Sequence, residues 1–183
     1  MKSQLHLFFL VLVVVYMNAC QTFTGKNESN GTQNIHPDSI LQFNKDFVAE
    51  ENNRIEDFCR RYGWNLETTK TGLRYKQLRK GNGIQAVLDS KAHIRLQIKL
   101  LTGETVYETP VGEISEVRIG RRDVVSGLEE GLLMMREGDQ FQLIVPSHLA
   151  YGLIGDMDRI PERAALICKV DLIKVSLQPQ SSQ

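Results

Sequence analysis

The sequence predicts an α+β fold in which a curved antiparallel sheet wraps around one short helix, with a longer helix ahead of it. Within Val124–Gly152 the periodicity changes twice. Val124, Val125, Leu128, Leu132 and Met135 recur at steps of three and four, as on a helix buried along one side. Arg136-Glu137-Gly138-Asp139 interrupts that stripe, and Phe141, Leu143 and Val145 then alternate with Gln140, Gln142 and Ile144 as in a strand with one face in a core, up to Pro146. Two further stretches, Ala92–Leu100 and Leu166–Ile173, alternate in the same way.

In chain order, Lys2 precedes the apolar run Leu7–Val15 and then Met17-Asn18-Ala19-Cys20. That run is short for a bilayer span and reads as a secretory signal over residues 1–19. A small residue followed by Cys resembles a bacterial lipoprotein processing site, with Cys20 as the acylated N-terminus. Ordinary signal cleavage with an incidental Cys20 is the alternative. Residues 20–37 are rich in Asn, Thr, Ser and Gly and too poor in apolar side chains to offset the entropy of ordering them, so they read as a tether.

The N-terminal helix is expected over residues 38–63. Ile40, Phe43, Phe47, Val48, Ile55, Phe58, Cys59 and Tyr62 fall on one side, Asp38-Ser39 offers an N-cap, and Gly63 ends it. Beyond it a domain is expected over 64–176, with 177–183 as a disordered tail. Gly72-Leu73-Arg74-Tyr75 and Gly81-Asn82-Gly83 mark a strand and a turn. Ile94, Leu96, Ile98 and Leu100 form the inner face of the next strand, Thr102-Gly103 turns it into Thr105–Tyr107, and Glu116–Gly120 is a short strand before the central helix. Leu166, Cys168, Val170 and Leu172 alternate in the last strand.

Twenty-two basic and twenty-two acidic residues cancel, and no basic run stands out, so nothing points to nucleic acid. The four His are scattered and the three Cys lie far apart, so no metal-ligand pattern is visible and no cofactor is implied. Cys59 and Cys168 both sit on apolar faces and read as small buried hydrophobes.

Gly127-Leu128-Glu129-Glu130-Gly131, Met135, Gly138 and Ala150-Tyr151-Gly152, with Gly103, Gly120 and Ile160-Pro161 in order around them, resemble the FKBP-type peptidyl-prolyl cis-trans isomerases from about Tyr75 to Val175. Taken with the signal segment, the chain also resembles the gliding-motility-associated FKBP lipoproteins of Bacteroidetes. The resemblance implies catalysed rotation about X-Pro bonds in proline-containing polypeptides. That rotation meets a barrier of about 18–20 kcal/mol because amide resonance must be broken. It needs no nucleophile: an apolar cleft that strips water from the amide, with donors placed for the twisted carbonyl, favours the twisted form.

Carried over by position, the resemblance implies a pocket of Leu96, Val106, Tyr107, Val124, Leu128, Ile160 and Cys168, with the Tyr151 hydroxyl and the Val125 backbone N–H as donors. Four positions depart from the family pattern: Leu96 stands for a tyrosine, Val106-Tyr107 for Phe-Asp, Leu128 for a tryptophan and Cys168 for an aromatic. The implied function is a folding isomerase of low rate in the bacterial cell envelope, lipid-anchored and facing the periplasm. A non-catalytic chaperone or binding module and an accessory component of an envelope complex are the alternatives. In some relatives a helix ahead of the domain is a dimerisation arm, so a homodimer stands beside the reading in which the helix packs on its own domain. The anchoring expectation has a direct check: Cys20→Ala should move the protein out of the membrane fraction, and a variant that still sediments with membranes like the parent would refute it.

Overall fold

The computed structural model describes residues 37–177, except for the side chains of residues 37–41 and 43. The signal segment with Cys20, the tether up to residue 36 and the tail from residue 178 lie outside the described residues. The chain divides after Leu41; of the first unit only the start of a helix is described, and the second unit, from Gln42, holds everything that follows.

Helix α1 spans Pro37–Tyr62. It already includes Asp38 and Ser39, so these sit in its first turn rather than capping it, and Pro37 supplies a backbone angle suited to that turn. Its other end follows the sequence: Gly63 takes φ +65°, Trp64 donates its N–H to Cys59 O at 2.8 Å and Gly63 donates to Arg60 O at 3.4 Å. These two bonds satisfy carbonyls that the last turn leaves open.

Among the described residues seven strands make one sheet: β1 (Glu67–Thr68), β2 (Arg74–Arg79), β3 (Lys91–Leu100), β4 (Thr105–Glu108), β5 (Ser115–Arg118), β6 (Gln140–Val145) and β7 (Leu166–Ser176). Their order is β1-β2-β6-β7-β3-β4, all pairs antiparallel, with β5 also against β3. β4 and β5 share one edge of β3, pairing with its second and first halves. Thr109 closes the gap between them. It gives its N–H to Leu96 O at 2.9 Å and takes the Leu96 N–H on its hydroxyl at 3.1 Å.

Helix α2 (Ser126–Leu133) lies against the inner face of the sheet. It is shorter than the apolar spacing over Val124–Met135 suggests, because Val125 is extended (ψ 149°) and Met134 forms the C-cap. A Cβ at Gly127 would stand 2.4 Å from Val145 Cγ1, and one at Gly131 would stand 2.7 Å from Leu143 Cδ1. Only glycine lets the helix sit this close to β6. Leu128, Leu132, Met135, Ile94, Leu143 and Leu172 fill the core between them. The turn into β6 is held by Asp139, whose carboxylate accepts the N–H groups of Gly81 at 2.6 Å and Arg136 at 2.6 Å and the Gln77 side-chain amide at 2.9 Å.

The outer face departs from the expected alternation. Ile144 on β6 and Ile167 on β7 are buried, although one-faced strands would expose them. The reason is α1: Ile55 packs with Ile144, Ala165 and Ile167, and Phe58, Cys59, Trp64 and Leu66 close around them. Phe58 meets Trp64 edge-on, with ring centroids 5.3 Å apart. The Ile55 side of α1 is therefore spent on the chain's own sheet, while Val48 and Tyr62 stay exposed. Among the described residues no helix is long and apolar enough to cross a membrane.

Because Ile55 is fully buried, Ile55→Ala should lower unfolding free energy by about 2–5 kcal/mol, whereas the exposed Val48→Ala should stay within about 0.5 kcal/mol. Denaturant melts of both variants check this, and equal effects would mean that the apolar side of α1 does not dock as described.

Candidate functional site

A cleft of about 500 Å³ opens between the inner face of β3, the strands β4 and β5, the start of α2 and the loop that follows Tyr151. The alternation of β3 points Ile94, Leu96 and Ile98 to one side, and all three line the cleft. Leu128 forms its floor from the first turn of α2, and Val106, Val124, Val125 and Ile160 supply walls. Tyr107 and Tyr151 stand at the rim, 42% and 39% exposed. Eight of the nine residues expected from the sequence thus converge on one cavity: Leu96, Val106, Tyr107, Val124, Val125, Leu128, Tyr151 and Ile160.

Cys168 is the exception. It faces the core from β7, is completely buried, and does not line the cleft. Its register partners are Ile98 on β3 and Leu143 on β6, both longer side chains, so the short thiol ends beneath the wall. Burial pushes that thiol up to about 12, which keeps it protonated and unreactive. Cys59 and Cys168 are both free thiols.

Two donors belong to cleft-lining residues and have no protein partner among the described residues. Val125 precedes α2 in an extended conformation, so its N–H lies ahead of the helical hydrogen-bond ladder. The Tyr151 hydroxyl likewise has no bond. Burial, then the negative charge of Asp156 and then Cys168, raise the pKa of this phenol, so it remains a neutral O–H donor. Tyr151 follows a short 3-10 turn, Ser147–Leu149, in which Ala150 and Gly152 both donate to Ser147 O, at 3.0 and 2.8 Å.

The loop beyond Tyr151 carries residues that periodicity could not reveal. Asp156 Oδ1 accepts the N–H groups of Asp158, Arg159 and Ile160 at 3.0, 3.0 and 2.7 Å, and Asp156 N–H donates to Ile160 O at 3.1 Å. Gly155 makes this closure possible, at φ +74°, since a Cβ there would meet Ile160 O at 2.2 Å. The backbone bonds hold the Asp156 carboxyl below the usual range. Arg159 reaches back to Val106 O at 3.4 Å, tying the loop to β4. Glu116, Asp123, Asp156 and Asp158 make the polar rim acidic, offset by Arg159 and by Lys91, which bonds Glu116 at 2.6 Å. The one readable signal was the dipeptide Gly155-Asp156, which marks a turn but not its occupant. Ile94 and Ile98, by contrast, follow from their spacing to Leu96.

The arrangement can enclose a small apolar group against aliphatic walls and offer two neutral donors at its edge. It holds no nucleophile with an adjacent base. Among the described residues, no three His, Cys, Asp or Glu side chains converge as metal ligands.

Comparison with known proteins gives one consistent answer. A family profile described as FKBP-type peptidyl-prolyl cis-trans isomerase matches residues 83–173. The chain is 31% identical over 110 residues to the probable FKBP-type peptidyl-prolyl cis-trans isomerase FkpA of Neisseria meningitidis serogroup B, covering 60% of this chain and 40% of that one. It is 32% identical over 110 residues to the peptidyl-prolyl cis-trans isomerase Mip of Coxiella burnetii, covering 60% and 47%. It therefore spans less than half the length of these two relatives. The crystal structure of FkpA from Escherichia coli superposes with a TM-score of 0.63 at 25% identity, over 77% of this chain and 66% of that one.

Asp156 has a pH signature of its own. Its folded pKa lies below the unfolded value of about 4, so its contribution to stability is present above that pH and is lost as the pH falls through the lower folded value. A carbon-detected titration should give a midpoint for Asp156 below that of an unstructured Asp. An ordinary midpoint would mean that the three amide bonds are not kept in solution.

Proposed function

The chain belongs to the FKBP-type peptidyl-prolyl cis-trans isomerase family, and on that premise we propose that it catalyses rotation about X-Pro bonds in proline-containing polypeptides of the bacterial cell envelope, where a lipid on Cys20 holds it facing the periplasm. The observation that carries this reading is the single cavity in which aliphatic walls, the Tyr151 hydroxyl and the Val125 N–H come together. A prolyl ring seated over Leu128 would lose water around its amide, and loss of water favours the twisted, less polar amide over the planar one. Either donor could then bond the twisted carbonyl more strongly than the planar one, which is the differential binding that a rate increase requires.

The proposed rate is low. Leu128 offers less wall than the tryptophan of the family pattern, and Cys168 offers none because it ends beneath the surface. A second reading, a binding module that holds unfolded chains without turnover, draws support from exposed apolar residues in the β4–β5 connection and in the loop after Tyr151: Val111, Ile114, Leu153, Ile154 and Met157. The envelope location is supported by the signal-like segment and Cys20. A homodimer through α1 would have to use its outer face, since the Ile55 side packs inward.

A protease-free isomerisation assay on a short proline peptide separates the two readings. One hydrogen bond is worth about 0.5–1.5 kcal/mol, so Tyr151→Phe should slow turnover roughly two- to tenfold. Leu128→Trp should raise it. A parent protein no faster than buffer, with Tyr151→Phe unchanged, would sink the enzyme reading in favour of the binding module.

A further inference from the structure

Helix α1 places a carboxylate where an apolar side chain would cover the sheet at lower cost. Glu51 is only 2% exposed, and burying a carboxylate is unfavourable unless its oxygens are satisfied. Both are, and by a single residue: Oε1 accepts the Ser147 backbone N–H at 2.8 Å and Oε2 accepts the Ser147 hydroxyl at 3.1 Å. Ser147 is itself buried, and its carbonyl accepts the N–H groups of Ala150 and Gly152, the two neighbours of Tyr151. At the far end of the segment, Gly152 O accepts the Arg163 N–H at 2.8 Å, and the Arg163 guanidinium lies 4.8 Å from the ring centroid of Phe47. Phe47 and Glu51 are four residues apart and so neighbours on one face of α1. One turn of this helix thus holds both ends of Ser147–Gly152, the segment that carries Tyr151.

We propose that Glu51 is a positioning residue that fixes the Tyr151 hydroxyl over the cleft through Ser147, so that the helix ahead of the domain sets the activity of the site. The inference rests on the isomerase reading for its kinetic effect, but not for its geometry. Removing Glu51 leaves the buried Ser147 N–H without its acceptor and frees the turn to re-aim. Gln at position 51 keeps the connection, since its carbonyl accepts the N–H and its amide donates to the hydroxyl.

The test uses the full chain with 3-fluorotyrosine in place of its five tyrosines, the Tyr151 resonance being assigned by its disappearance in Tyr151→Phe. Glu51→Ala should shift or broaden that resonance and leave those of tyrosines distant from the segment in place. It should also lower turnover about two- to tenfold, mainly in kcat, and Glu51→Gln should restore both. In the Tyr151→Phe background, Glu51→Ala should cost less than about twofold, because the group it acts through is already gone. A Tyr151 resonance unchanged in folded Glu51→Ala overturns the proposal, and so does a full additive loss in that background. If the parent shows no turnover, the isomerase reading fails and the fluorine spectrum alone decides this one. Should Glu51→Ala not fold, Ser147→Ala removes only the hydroxyl half of the contact, and the same criterion on the Tyr151 resonance applies to it.

Discussion

The distance between α2 and β6 is the constraint on which the rest of this molecule depends. It is set by two missing methyl groups, at Gly127 and Gly131, whose Cβ atoms would overlap Val145 and Leu143. With the helix at that depth, Leu128 becomes the cleft floor, and the extended Val125 leaves its N–H at the cavity edge rather than inside a hydrogen-bonded turn. An alanine at either glycine would push the helix outward or displace the β6 side chains, and close-packed interiors resist both. The cleft is thus a consequence of backbone approach as much as of the side chains that line it.

A second dependence runs through the sheet rather than across it. The inner face is a large apolar core, and the outer face is a small one under α1. Contacts of polar and charged groups join α1 to strand ends, through Glu51 to Ser147 beyond β6, through Asn52 to Arg74 at the start of β2 and through Phe47 to Arg163 before β7. The ends beyond β6 and before β7 are also where the cleft loops begin. A sheet covered on both faces is stiff, so loops hung from its strand ends inherit fixed origins, and their remaining freedom is restrained by local bonds such as the Asp156 cap.

Much of this architecture was legible because alternation and helical spacing report directly on burial. β3 shows it best: Ile94, Leu96, Ile98 and Leu100 are all buried, as their spacing requires. Reading failed where burial had a remote cause. Ile144 and Ile167 look like outward residues until a helix far earlier in the chain covers them, and no local pattern carries that information. Val124 and Val125 keep helical spacing while standing ahead of the helix, since two apolar residues in a row suit an extended approach equally well. Cys168 was assigned to the cavity by position, but the depth of a side chain depends on the size of its cross-strand neighbours. The Asp156 loop was hidden for a simpler reason: a side chain that caps three amides leaves no periodic trace.

The position of β7 in the sheet has a consequence for how the molecule is made. It is the last strand in chain order among the described residues, yet it lies in the middle, between β6 and β3. While the ribosome is still making the earlier segments, β2 with β6 and β3 with β4 and β5 can form only two separate ribbons, each with an unpaired edge where β7 belongs. Without β7 neither ribbon has the complete inner core, and each presents an unpaired edge of the kind that favours self-association. Closure of the sheet therefore waits on Leu166–Ser176, and because that strand pairs with segments far from it in sequence, the closure is a long-range and slow step.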